Sequence, residues 1–293
     1  MLLSPFQYHR PHDLAAAHDL VARYRDDAAV YAGGTELLLA LKARVLRYAH
    51  LIDLKQIPEL NGIRHDAGEI VIGALVSHFR LATDPLIARL LPAYAALSDG
   101  IANIRVRVAG TLGGNLCFAE PHADPPALLA ALGASVTLVS AEGSRSVPVA
   151  DFIEAEFTTV RRDDELLTAI RIPVPAAGEQ FCYKSFGHLE RPAVGIAAGC
   201  ILRDGGFSYR VWAGAIADRP MHLSGLEAAL DGIAPANLID ALPKASVDAA
   251  ALLPARDDLH GSADYKQHLA AVFMRRTVLQ AAGLSADKAG AHG

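Results

Sequence analysis

Cysteine is scarce. Only three occur in 293 residues, Cys117, Cys182 and Cys200, and they are too scattered for a disulfide framework or a CxxC metal site. All three read as small core hydrophobes. The chain therefore supplies no iron–sulfur cluster or structural zinc of its own, and any redox chemistry would need a borrowed organic cofactor. Basic excess is also missing: 27 Lys and Arg stand against 32 Asp and Glu, a net charge of −5. That balance argues against nucleic acid as the main partner. Hydrophobic residues make up 52% of the chain, but as alanine and leucine spread throughout. No segment approaches the roughly 20 consecutive apolar residues that cross a bilayer. The start, "MLLSPFQYHRPHDL", lacks the basic cap and extended apolar stretch of a secretory signal, so a cytoplasmic protein is expected.

What is present is a chain long enough for two or more lobes. "HDLAAAHDLVARY" sets Leu14, Leu20, Val21 and Tyr24 on one side of a helical wheel. "AAVYAGG" and "HLIDL" read as short strands, and "KQIPELNG" as a loop. "EIVIGAL" is a β-rich run, followed by helical sequence broken near Pro85 and Pro92. "PPALLAALG" predicts a helix ending at Gly133, "ASVTLVS" and "RSVPVADF" a strand pair, and "ELLTAIRIPVP" a strand stopped by Pro173 and Pro175. Beyond "VPAAGEQ" the pattern changes. "QFCYKSF" and "AVGIAAGCILRDGGFSYRVWAGAI" predict three strands, two of them joined at Asp204-Gly205-Gly206, and three helices follow. The expected class is α+β. The expected domains are residues 1–176 (subdomains about 1–56 and 57–176) and 177–285, with a flexible tail over 286–293.

Two glycine pairs stand out. In "VYAGGTELLLALK" a strand leads into Gly33, Gly34 and Thr35, then into a leucine-rich stretch suited to a helix. Such a turn exposes main-chain N–H groups, and an anion gains from them. A plain strand-to-helix turn would look the same. The pattern is neither GxGxxG nor GxxxxGK[ST]. In "AGTLGGNLCFAEPHADPP", Gly110, Gly113 and Gly114 surround Thr111, with Asn115 next and Asp124 further on. A run of main-chain donors there suits a pyrophosphate. Asp124 suits a ribose diol or a ring N–H, or is an ordinary N-cap before Pro125. One ligand with a diphosphate and large rings at both ends would engage both segments, and FAD has that shape.

Taken in order, "YAGGTELLLALK", "IGALVSHFRLA", "IRVRVAGTLGGNLCFAEPHADPPALL", "LLTAIRIP", "YRVWAGAIADRP" and "LHGSADYKQHLAAVFMRRTVLQA" resemble the FAD-binding medium subunit of the molybdenum hydroxylases, the family of xanthine dehydrogenase and aerobic carbon monoxide dehydrogenase. The resemblance implies a vanillyl-alcohol-oxidase-type fold, with two α+β subdomains gripping FAD and an antiparallel C-terminal domain. It also implies cofactor contacts at Ala32, Gly33, Gly34, Thr35, Glu36, Ile101, Thr111, Gly113, Gly114, Asn115, Asp124, Leu167 and Lys184. From the residues alone, Ile101, Leu167 and Trp212 read as core, Lys184 reads equally as a solvated strand-end charge, and His78, His122 and His188 lack ligand-like spacing. Where relatives carry small residues after "GGN", this chain has Cys117, Phe118 and Glu120.

The expected function is that of an electron-transfer subunit. Substrate would be oxidised at a molybdenum–pterin centre on a large partner, and electrons would pass through [2Fe-2S] clusters on a small partner to FAD, then to an external acceptor. A dimer of heterotrimers is the expected assembly. A self-sufficient flavin oxidase of the same fold, or an assembly module that has lost FAD, are the rival readings. No side chain is singled out as catalytic.

Overall fold

The computed structural model describes residues 3–187, 191–203 and 205–284; the turn residue Asp204, His188 and the expected tail over 286–293 lie outside them. The first unit is a three-stranded parallel sheet, ordered β1 (Gln7–His9), β3 (His50–Asp53), β2 (Ala28–Tyr31). Helix α1 (Leu14–Tyr24) is capped by the Asp13 carboxylate, and α2 (Leu37–Ala43) follows the first glycine pair. Leu51 and Ile52 of β3 point to opposite faces, so each seeds its own small core.

The second unit is a five-stranded antiparallel sheet. It runs β4 (Ile63–Asp66), β5 (Glu69–Gly73), β10 (Leu166–Pro173), β6 (Ser135–Ser140), β7 (Gly143–Pro148), with a small hairpin of β8 (Ile153–Ala155) and β9 (Thr158–Thr159) beside it. Helices α3 (His78–Thr83), α4 (Pro85–Leu90) and α5 (Pro92–Gly100) break at the two prolines, each of which begins a new helix. That is where a residue without an N–H costs nothing. Then come α6 (Ile104–Ala109), α7 (Leu112–Phe118), α8 (Pro125–Ala131) and the single turn α9 (Val149–Phe152). The stretch expected as a loop, "KQIPELNG", instead forms two 3₁₀ turns around Ile57.

The third unit is the antiparallel sheet β11 (Gln180–Phe186), β12 (Val194–Arg203), β13 (Gly206–Gly214), β14 (Met221–His222), with α10 (Ser224–Leu230), α11 (Pro235–Ala251) and α12 (Ala263–Ala281). Helix α11 runs through Pro243 and is twice as long as the sequence pattern "PANLIDAL" suggests. This sheet is covered on both faces, so Val194 to Cys200 of β12 are buried without alternation. One face meets α10 and α12, with α11 packed behind them; the other meets α8, whose seven residues are all buried. Each leucine of that helix contributes roughly 1.5–3 kcal/mol by leaving water. An apolar helix with no polar face is thus the joint between the second and third units.

Candidate functional site

The first glycine pair lies between β2 and α2. Gly34 has φ +73°, and the Tyr31 ring occupies the place a side chain would need, 2.3 Å from an added Cβ. Only glycine fits both conditions. The amide N–H groups of residues 33–37 have no acceptor among the described residues. Five successive unbonded donors therefore belong to one bend on the cavity wall, a stretch suited to an anion-binding nest. Lys55 holds the bend from behind. Its ammonium donates to the Ala32 carbonyl at 3.1 Å, sits 3.7 Å from the Tyr31 ring centroid and pairs with Asp53 at 2.9 Å. Burial would push the Asp53 carboxyl up, but hydrogen bonds from the Tyr8 hydroxyl and from Lys55 outweigh it and hold the group below the usual carboxylate range.

The second glycine segment differs from its sequence expectation. It is the first turn of α7 and not an open loop, and its donors are already engaged. Leu112 N–H donates to Val76 O (3.0 Å), Gly113 N–H to Ala74 O (2.9 Å), Gly114 N–H to Thr111 Oγ1 (3.1 Å) and Asn115 N–H to Thr111 O (2.9 Å). Thr111 is the N-cap. This segment buttresses; the first one offers the donors. Its polar contribution is the Asn115 side chain, whose Oδ1 is buried without a partner.

The two segments touch. A Cβ placed on Gly33 would fall 2.1 Å from Ala109 O and 2.9 Å from Gly110 Cα, and one on Gly114 would lie 3.8 Å from Ala32 Cβ. Together they open onto a cavity of about 1160 Å³, above the ~300–1,000 Å³ usual for small-molecule sites. Ala32, Gly33, Gly34, Thr35, Glu36, Ile101, Thr111, Gly113, Gly114, Asn115, Asp124 and Leu167 all line it. Ile101 and Leu167 are core residues as well, 8% and 5% exposed, and present edges to the cavity.

Lys184 is not brought there. Along β11, Phe181 and Tyr183 pack toward the second unit while Cys182 and Phe186 pack toward α12. Lys184 shares the second parity and faces away from the cavity. Its neighbour Tyr183 takes the role the sequence did not reveal: the phenol donates to Asp124 Oδ1 at 2.8 Å. Gly195 leaves the gap through which that hydroxyl reaches. The N-cap reading of Asp124 fails, because its side chain makes no cap bond. Burial pushes the Asp124 carboxyl up, against the opposing hydrogen bonds from Tyr183 and Ser185. Trp212 is only partly buried and stacks on His222 at 4.8 Å.

Other lining groups are fixed by their surroundings. His78 is 3% exposed, and burial lowers its pKa to about 4, so the ring is neutral near pH 7. Glu165, also on the cavity wall, receives Arg145 Nε and Nη2 at 2.6 and 2.8 Å and the Arg162 N–H at 2.8 Å. The Arg145 hydrogen bonds bring its pKa down to about 2. This clamp fixes the 161–165 turn on the cavity wall. Phe118 also lines the cavity and meets Phe157 edge to face, ring centroids 5.2 Å apart. Among the described residues no cluster of three or more His, Cys, Asp or Glu is placed to hold a metal ion, and no helix is long and apolar enough to cross a membrane.

Residues 4–175 match the family model described as the FAD binding domain in molybdopterin dehydrogenase, and residues 190–281 match the CO dehydrogenase flavoprotein C-terminal domain. The chain belongs to the FAD-binding medium subunits of the molybdenum hydroxylases. It is 35% identical to the carbon monoxide dehydrogenase medium chain of Afipia carboxidovorans, over 96% of this chain and 98% of that one. Among solved structures it resembles the reconstituted CO dehydrogenase of Oligotropha carboxidovorans with a TM-score of 0.92 at 33% identity, covering 97% of this chain and all of that one. Quinoline 2-oxidoreductase of Pseudomonas putida 86 gives 0.91 at 32% identity, covering 97% and 99%. The cavity of this medium subunit suits FAD on its own evidence. It has unpaired donors for a diphosphate, an unpartnered Asn115 oxygen for a ring N–H or hydroxyl, and room for a dinucleotide.

Proposed function

We propose that this medium subunit holds FAD with its diphosphate on the amides of residues 33–37 and relays electrons through it. Asn115 and Asp124 would address polar edges of the cofactor, and Ile101 and Leu167 its apolar faces. The observation that carries the reading is the convergence of two glycine segments, far apart in sequence, on one cavity. Bound FAD supplies the capacity to accept electrons singly and release them as a pair. The protein's part is placement. Lys55 fixes the nest, Thr111 fixes the α7 turn behind it, and the Tyr183–Asp124 bond ties the cavity wall to the third unit. The electrons would arrive from [2Fe-2S] clusters of a small partner, after oxidation of substrate at a molybdenum–pterin centre on a large one, in a dimer of heterotrimers. We place the boundary between the FAD-binding and C-terminal domains near residues 176–177.

The test is purification of the chain alone and with its two partners. The chain alone should carry flavin absorption bands, and iron–sulfur absorbance should appear only with the partners. A colourless chain that refuses added FAD would refute the reading.

A further inference from the structure

Glu36 sits inside the amide nest, and Glu120 lines the same cavity. Two carboxylates there oppose the binding of a diphosphate. Both are held by one residue from beyond the second unit. Arg191 Nη2 lies 3.1 and 2.9 Å from the two Glu36 oxygens, and Nη1 lies 3.5 Å from Glu120 Oε1. A guanidinium fork suits this double grip, because it keeps its charge and its planar donors at any pH of interest. Burial would push the Glu120 carboxyl up, yet the hydrogen bond from His122 and the charge of Arg191 hold it below the usual range, so it stays ionised. The contacts continue outward. His122 Nδ1 lies 3.1 Å from Glu120 and its Nε2 lies 3.4 Å from Asp258, which pairs with Lys266, a side chain almost wholly buried in α12. A continuous run of polar contacts thus links the nest to the C-terminal helix.

We propose that Arg191 is an affinity-determining residue of the cofactor site, a counter-charge delivered from the C-terminal half that cancels Glu36 and Glu120. This rests on the FAD reading above. Without it, Glu36 has no cation beside it among the described residues and Glu120 keeps only His122, and both carboxylates face the incoming diphosphate across distances that water only partly screens. The nest would then keep its shape and lose its attraction for an anion. Arg191 thereby makes the site a property of both halves of the chain. Glu120 lines the cavity beside Glu36, so the counter-charge serves a second carboxylate as well.

The experiment is titration of the full apo chain with FAD, followed by flavin fluorescence, for wild type, Arg191→Met, Arg191→Lys and the triple variant Arg191→Met/Glu36→Gln/Glu120→Gln. Arg191→Met should bind at least tenfold more weakly. Arg191→Lys should stay within about threefold of wild type. The triple variant should recover most of the loss, since the charges to be cancelled are gone. The deficit of Arg191→Met should also narrow as salt rises, because repulsion between partly exposed charges is screened. Wild-type affinity in Arg191→Met, or a triple variant as weak as Arg191→Met, would overturn the proposal while leaving the FAD reading intact. A wild-type chain that does not bind FAD would overturn the FAD reading itself.

Discussion

Replacing Gly33 by alanine places one methyl group at the seam between the two glycine segments. The added Cβ would sit 2.1 Å from Ala109 O, and contacts under 3.0 Å are essentially never observed for real Cβ atoms. At least 0.9 Å of relief is needed, the difference of those two values. The obstacle is main chain, so no rotamer change removes it. Overpacking of this kind costs about 1–3 kcal/mol. Apo protein can relieve the strain by moving the 33–37 bend, whose amides are tied to nothing. The cost then falls on binding, when the bend must return to the α7 buttress. At about 1.4 kcal/mol per tenfold, FAD affinity should fall by about 5- to 150-fold, while the melting temperature of the apo chain changes little. Gly62→Ala adds the same methyl in open space and serves as the control, with affinity unchanged. Flavin fluorescence titration reads both. Wild-type affinity in Gly33→Ala would refute the claim that the two segments must stay in contact to hold the cofactor.

Two further outcomes follow from the buried carboxylates. Asp124 is held above its ordinary pKa by burial, so the folded state binds its proton more tightly than the unfolded chain does, and stability from this group is lost as pH rises through that interval. Asp124→Asn should therefore raise the melting temperature of the apo chain at neutral pH and weaken FAD binding by about tenfold, the worth of a buried polar contact; a loss of both, or of neither, contradicts the assignment. Glu165 is the opposite case. Its pKa falls from 4.5 to about 2, so its contribution is present above pH 4.5 and is lost as pH drops toward 2. The stability gap between wild type and Glu165→Gln should be full at pH 7 and close across that acid window, as read by thermal unfolding at stepped pH.

Much of the fold was legible because it follows local rules. The breaks at Pro85 and Pro92, the antiparallel pair β6 and β7, and the helix of "PPALLAA" all carry their signals within a few residues. The glycine pairs were legible as special backbone, but not their division of labour. "AGTLGGN" looks richer in free donors than "AGGTE", and only the partners of Leu112 and Gly113, supplied by Val76 and Ala74, show that the reverse holds. Lys184, offered as a cofactor contact only by the resemblance, does not line the cavity, and nothing in "CYKSF" says which face of β11 meets which core. Tyr183, Lys55 and Arg191 went unseen for a common reason. Each acts through a partner 23 to 155 residues away, and no spacing rule reaches that far.

The central claim is that the amides of residues 33–37, and not those of the "TLGGN" turn, receive the cofactor's diphosphate. Amide hydrogen exchange of the chain with and without FAD tests it directly. Strong protection on FAD addition should appear at residues 33–37, with residues 112–115 already slow in the apo chain because their N–H groups are bonded. Fast exchange at 33–37 that FAD leaves untouched would contradict the account.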